Sequence, residues 1–137
     1  MDKKALILVV DDNAEYRELL AWILDRYGFE TISAKSGREA VEIAIKCPPD
    51  LVLMDLNMPD MDGYEATQAI HADRHSRRVP VVAVSADCAE YGFDRWAFKA
   101  GFIAFLAKPW NPEALLEIVT NALTCHDEGT DVQLKHS

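Results

Sequence analysis

Short apolar runs alternate along this chain with longer stretches of helical spacing, and that alternation limits the possible folds more than any other feature. Ala5–Val10 (ALILVV), Leu51–Met54 (LVLM), Val79–Val84 (VPVVAV) and Phe102–Leu106 (FIAFL) are almost unbroken, and Glu30–Ala34 (ETISA) is a weaker, β-branched run. A strand with one wet face alternates apolar with polar residues, whereas a strand that is apolar throughout has both faces covered. Between the runs, apolar residues recur three and four apart: Tyr16, Leu19, Leu20, Ile23 and Leu24, then Ala40, Val41, Ile43 and Ala44. Ala66, Ala69 and Ile70 continue the series, and Leu115, Leu116, Val119 and Leu123 close it. Punctuation agrees. Gly28 stops the first helix, Ser36 caps the second, Pro48–Pro49 ends it, and Asn111–Pro112–Glu113 opens the last. A further helix is expected over Cys88–Ala100, where Tyr91, Phe93, Trp96 and Phe98 trace no single stripe. Five β–α repeats in 137 residues predict one α/β domain over 1–124, with a parallel sheet, right-handed crossovers and a polar tail at 125–137.

In such a sheet, functional groups gather at the carboxyl ends of the strands. The first strand delivers Asp11 and Asp12, the third Asp55, the fourth Ser85 and the fifth Lys108. Three carboxylates at one edge repel one another unless a cation intervenes. A hard, oxygen-seeking ion such as Mg²⁺ meets that need, and Mn²⁺ could substitute. With the ion bound, one carboxylate can attack phosphorus as an anion and form an acyl phosphate. The charge on the transferring group then calls for metal, ammonium and hydroxyl partners, which Lys108 and Ser85 help to supply.

The segments VVDDN at 9–13, VLMDLNMPDMDG at 52–63, VSA at 84–86 and FLAKP at 105–109 resemble, in order and spacing, the receiver domain of two-component response regulators. The resemblance covers roughly Lys4 to Leu123 and implies a flavodoxin-like three-layer (βα)5 sandwich with sheet order 2-1-3-4-5. By the same likeness Asp55 is the phosphorylation site, Asp12 a direct metal ligand, Asp11 a ligand through water, and Asn57 a backbone-carbonyl ligand. Lys108 would contact the phosphoryl group, with Lys108–Pro109 as a cis peptide, and Ser85 and Phe105 would respond as the switch. Ser85 stands where threonine is frequent, and Phe105 lacks the hydroxyl a tyrosine would bring. The implied donor is a sensor histidine kinase or a histidine phosphotransfer protein. Phosphorylation would alter the face of the fourth helix, fifth strand and fifth helix, changing partner binding or homodimer formation. Such a domain catalyses its own phosphorylation and dephosphorylation and is not a turnover enzyme. Asn57 and Asp87 are expected to border the pocket mouth, giving the acyl phosphate a lifetime of seconds to minutes.

Plainer readings compete residue by residue. Asp11 and Asp12 could cap the following helix, Ser85 the next one, and Lys108 could be a solvated surface lysine. Pro59 and Gly63 read as turn formers, His71 and His75 as an exposed helix end, and Trp96, Phe98 and Trp110 as core. Rival functions are an aspartyl hydrolase, a docking module that takes no phosphate, and a receiver domain belonging to a hybrid kinase. The hydrolase would want a second acid two residues past its nucleophile, where Asn57 stands. A net charge of −9 argues against nonspecific binding to nucleic acid or an anionic membrane. Cys47, Cys88 and Cys125 form no disulfide or metal pattern, and the apolar runs are too short to span a membrane, so a cytoplasmic setting is expected.

Overall fold

Every apolar run forms a strand in a computed structural model of the protein, whose described residues are 4–86 and 101–127. The elements are β1 (Leu6–Val10), α1 (Ala14–Arg26), β2 (Glu30–Ala34), α2 (Gly37–Lys46), β3 (Leu51–Asp55), α3 (Gly63–Ala72), β4 (Val81–Ser85), β5 (Ala104–Ala107) and α4 (Pro112–Asp127). The helix expected over Cys88–Ala100, and Asp87 with it, lies outside the described residues. The strands form one parallel sheet in the order β2-β1-β3-β4-β5. This is the flavodoxin-like order expected above.

Burial explains the unbroken apolar runs. Successive side chains of a strand point to opposite faces. Leu8, Val10, Val52 and Met54 therefore pack with Ala40, Ala44, Ala66 and Ile70 of α2 and α3. Ile7, Val9, Leu51 and Leu53 pack on the other face with Leu20, Ile23, Leu24, Leu115 and Val119 of α1 and α4. The three central strands are thus covered on both sides. β2, the weaker run, is an edge strand that is exposed at Glu30 and Ser33 and fully buried only at Ala34.

The caps follow the sequence, with some corrections. Gly28 sits at φ 94°, the left-handed backbone that a helix end favours and that glycine adopts without strain. Ser36 Oγ accepts from Glu39 N at 3.1 Å, and Asn111 Oδ1 from Ala114 N at 2.7 Å. α1 is capped by Asn13, whose Oδ1 accepts from the backbone N–H groups of Glu15 and Tyr16. The aspartates before it are free of that task. Leu19, read as part of the core stripe, is 47% exposed, because α1 turns its Leu20–Leu24 side to the sheet. β4 and β5 start later than the apolar runs do. Pro80 has no N–H to give a ladder, and the buried Phe102 packs below β5 rather than within it. α4 runs on to Asp127, into the stretch read as a polar tail. His71 is half-buried, not part of an exposed helix end: its Nε2 lies 2.8 Å from the carbonyl oxygen of Val79 and ties α3 to the segment just before β4. His75 is exposed beside Asp73.

Candidate functional site

The sheet register brings the sequence-nominated residues to one edge. Asp11 directly follows β1, Asp55 ends β3, Ser85 ends β4, and Lys108 directly follows β5. Backbone bonds continue the ladder past the strands: Asp11 N–H donates to the Ala34 carbonyl, Leu56 N–H to Val84, and Lys108 N–H to Ser85. The side chains at the edge are therefore carried on rigid backbone.

Asp11 and Asp55 are only 2% and 4% exposed, whereas Asp12 faces solvent. One carboxylate oxygen from each of the three lies within 4.8 Å of the others. Lys108 Nζ donates to Asp11 Oδ2 at 3.2 Å and stands 3.6 Å from Asp55 Oδ1. Asp11 Oδ1 accepts from Asn13 N–H, and Asp55 Oδ1 from Asn57 N–H. Arg17 donates to the Asp11 carbonyl at 2.7 Å and fixes the backbone between β1 and α1. Ser85 is buried, with its Oγ 3.5 Å from the Asn57 side-chain nitrogen. Phe105 is half-buried against the α2–α3 side of the core. The Lys108–Pro109 peptide is cis.

The electrostatics single out Asp55. Burial pushes its carboxyl up from 3.8 to about 6, and Asp11 pushes the same way. Lys108 and the Asn57 N–H pull it down, and Asp12 adds a further upward push. Burial by itself would lower the Lys108 ammonium, but Asp55 and Asp11 outweigh that and hold it above its ordinary value. With all three acids ionised, three negative charges face the ammonium of Lys108, a net charge of −2 at the edge among the described residues. Hard oxygen donors at this spacing, carrying that charge, suit a divalent cation such as Mg²⁺.

The loop after Asp55 is shaped by close approach. A Cβ on Gly63 would lie 2.5 Å from the Asp55 carbonyl oxygen and 2.9 Å from Leu56 Cα, so only glycine lets α3 begin against the end of β3. Gly63 is thus more than a turn former. Asp62 and Glu65 form a reciprocal capping box just beside it.

Some contacts escaped the sequence reading. Lys108 Nζ sits over the Tyr16 ring, 4.5 Å from its centroid, and Tyr16 meets Trp110 edge to face at 6.2 Å. The sequence signal for Tyr16 was only its place at the site end of the α1 stripe.

Residues 7–120 match the response regulator receiver domain family. The chain is 32% identical over 117 residues to the polar-differentiation response regulator DivK of Brucella ovis, covering 85% of this chain and 94% of that one. Chemotaxis protein CheY4 of Vibrio cholerae superposes with a TM-score of 0.83 at 30% identity, over 88% of this chain and 100% of that one. The receiver domain of sensor histidine kinase PA1611 from Pseudomonas aeruginosa, with a magnesium ion coordinated in its active site cleft, gives 0.81 at 32% identity, over 89% and 99%. Five parallel strands in the expected order, an acidic edge beside the Lys108 ammonium, and a match spanning most of the length lead to one conclusion: the chain belongs to the response regulator receiver domain family.

Proposed function

We propose that the domain accepts a phosphoryl group on Asp55, in a Mg²⁺-dependent step, from a phosphohistidine of a sensor histidine kinase or a histidine phosphotransfer protein. The observation that supports this most directly is a buried carboxylate ending the middle strand, with an ammonium 3.6 Å away and two further carboxylates within 4.8 Å. Asp11, Asp12 and Asp55, with the Asn57 carbonyl, would hold the ion, and Mn²⁺ could replace it. When bound, Mg²⁺ supplies charge neutralisation for the carboxylates and the phosphoryl oxygens.

The chain's own residues do the rest. An Asp55 carboxylate oxygen attacks phosphorus while the phosphorus–nitrogen bond breaks. The electron pair goes to the imidazole nitrogen, leaving a neutral histidine on the donor once a proton is in place. Lys108 offers its ammonium to the oxygens that gain charge, and the Ser85 hydroxyl offers a hydrogen bond. Burial of Asp11, Asp55 and Ser85 lowers the local dielectric and strengthens each of these contacts. Ser85 and Phe105 then carry the change outward, altering partner choice or self-association. The domain acts on itself and not on a separate substrate.

The likeness to DivK and to the PA1611 receiver supports two settings equally, a free regulator or one domain of a hybrid kinase. The phosphoacceptor chemistry is common to both. Intact mass after incubation with acetyl phosphate and Mg²⁺ tests it: one added phosphoryl group is expected, absent in Asp55→Asn. A wild-type protein that gains no mass would leave the docking-module reading in its place.

A further inference from the structure

We infer that Tyr16 is a positioning residue for Lys108: its ring, backed by Trp110, holds the ammonium beside the Asp55 carboxylate and so sets how fast Asp55 takes up a phosphoryl group. The inference rests on the phosphoacceptor reading above. Its geometry is independent of that reading. Lys108 Nζ lies 4.5 Å from the Tyr16 ring centroid on one side, and 3.2 Å from Asp11 and 3.6 Å from Asp55 on the other. The ammonium is thus held between an aromatic face and two carboxylates.

The ring is itself fixed. Tyr16 stands in the first turn of α1, and its backbone N–H donates to the capping Asn13 side chain at 3.2 Å. Its edge-to-face contact with Trp110 lies at 6.2 Å and 61° between ring planes. Trp110 packs against the α1–α4 side of the core, and among the described residues its buried indole N–H has no hydrogen-bond partner. A chain of contacts therefore runs from the core through Trp110 and Tyr16 to the Lys108 ammonium.

A lysine stem has much rotamer freedom to lose, and a carboxylate by itself would hold the ammonium only while it stays ionised. When Asp55 becomes an acyl phosphate, its negative charge moves out to the phosphoryl oxygens, so the anionic partner of the ammonium changes position. The ring's attraction for a cation comes from its quadrupole, which the reaction leaves untouched. Tyr16 thus keeps the ammonium in place before and after transfer without neutralising it, as a further acid would. The quadrupole attraction does not require the hydroxyl, so phenylalanine should serve as well as tyrosine.

The test compares the full-length wild type with Tyr16→Phe and Tyr16→Leu. Three quantities are measured: the initial rate of Asp55 phosphorylation by acetyl phosphate with Mg²⁺, Mg²⁺ affinity by calorimetry, and the NMR shifts of the Lys108 side-chain methylenes. Tyr16→Leu should phosphorylate about fivefold more slowly, the factor expected for a partly desolvated cation–π contact. Tyr16→Phe should stay within about twofold of wild type on the same scale. Mg²⁺ affinity should not weaken in either variant, and the upfield ring-current shift of the Lys108 methylenes should be lost only in Tyr16→Leu. The proposal is overturned by a Tyr16→Leu rate equal to wild type, by a Tyr16→Phe rate as slow as Tyr16→Leu, or by Mg²⁺ binding that weakens in step with the rate. The last would mean a collapsed cleft and not a misplaced lysine. A wild-type protein that takes no phosphoryl group overturns the phosphoacceptor reading, and this role of Tyr16 with it. An active wild type with an equally active Tyr16→Leu overturns the role alone.

Discussion

Replacing Asp55 with asparagine should make the metal-free protein more stable near neutral pH, although it deletes the proposed nucleophile. The wild-type carboxyl is 4% exposed, and burial, followed by the neighbouring Asp11, raises it from 3.8 to about 6 despite the pull of Lys108. An acid whose folded-state value lies above its unfolded one holds its proton more tightly when folded, so ionisation costs stability. That cost is absent below 3.8, grows up to about 6, and is complete above it. At 1.36 kcal/mol per pH unit, the gap between 3.8 and about 6 sets a ceiling of about 3 kcal/mol. Asparagine keeps the shape and the oxygen that accepts from Asn57 N–H, yet carries no charge to desolvate. The lost attraction to Lys108 is already counted in the raised value, because Lys108 pulls it down. A gain of about 1–3 kcal/mol is therefore expected near pH 7.5, shrinking towards zero near about pH 4. Urea denaturation of both proteins with a chelator, at several pH values, isolates this group as the difference between the two curves. Adding Mg²⁺ should close the gap from the wild-type side, by about 2.7 kcal/mol at a hundredfold excess over its dissociation constant. An Asp55→Asn protein clearly less stable than wild type near neutral pH without metal would show that the ionised carboxylate is not a strained group, and the reasoning would fail.

The loop after β3 gives a second test. Gly63→Ala should destabilise by about 1–3 kcal/mol and weaken Mg²⁺ binding, because the new Cβ displaces the Asp55 carbonyl region; a fully wild-type melt and Mg²⁺ titration would count against it. His71→Leu should cost about 1–2 kcal/mol through the lost bond to the Val79 carbonyl, seen by chemical denaturation, with the Mg²⁺ response unchanged. Asn57 is exposed beside the buried Ser85. Asn57→Met should therefore slow loss of the acyl phosphate by roughly tenfold, or about 1.4 kcal/mol in the barrier, as followed by intact mass over time. An unchanged decay would remove Asn57 from control of water access.

Much of this protein was legible one residue at a time. Continuous apolar runs announced buried parallel strands, because a strand covered on both faces has no polar position left to show. The stops at Gly28 and the caps at Ser36 and Asn111 lay where local backbone chemistry demands them. The strand-end rule then named Asp11, Asp12, Asp55, Ser85 and Lys108, since a parallel sheet brings all carboxyl ends to one edge whatever the sequence distance. Tertiary structure decided what depends on distance between elements. The spacing of Tyr16 made it a stripe residue; only the meeting of α1 with the end of β5 sets its ring over Lys108, 92 positions along the chain. Leu19 kept its helical spacing and still faced solvent, because the sheet covers less of α1 than its apolar stripe offers. His71 read as a surface residue until Val79, just before β4, supplied a carbonyl for its ring. The Asp55 carboxyl owes its raised value to burial and to Asp11, 44 residues before it. Local periodicity and backbone chemistry are written in neighbouring residues, whereas burial, charge proximity and side-chain contact exist only once distant segments have packed together.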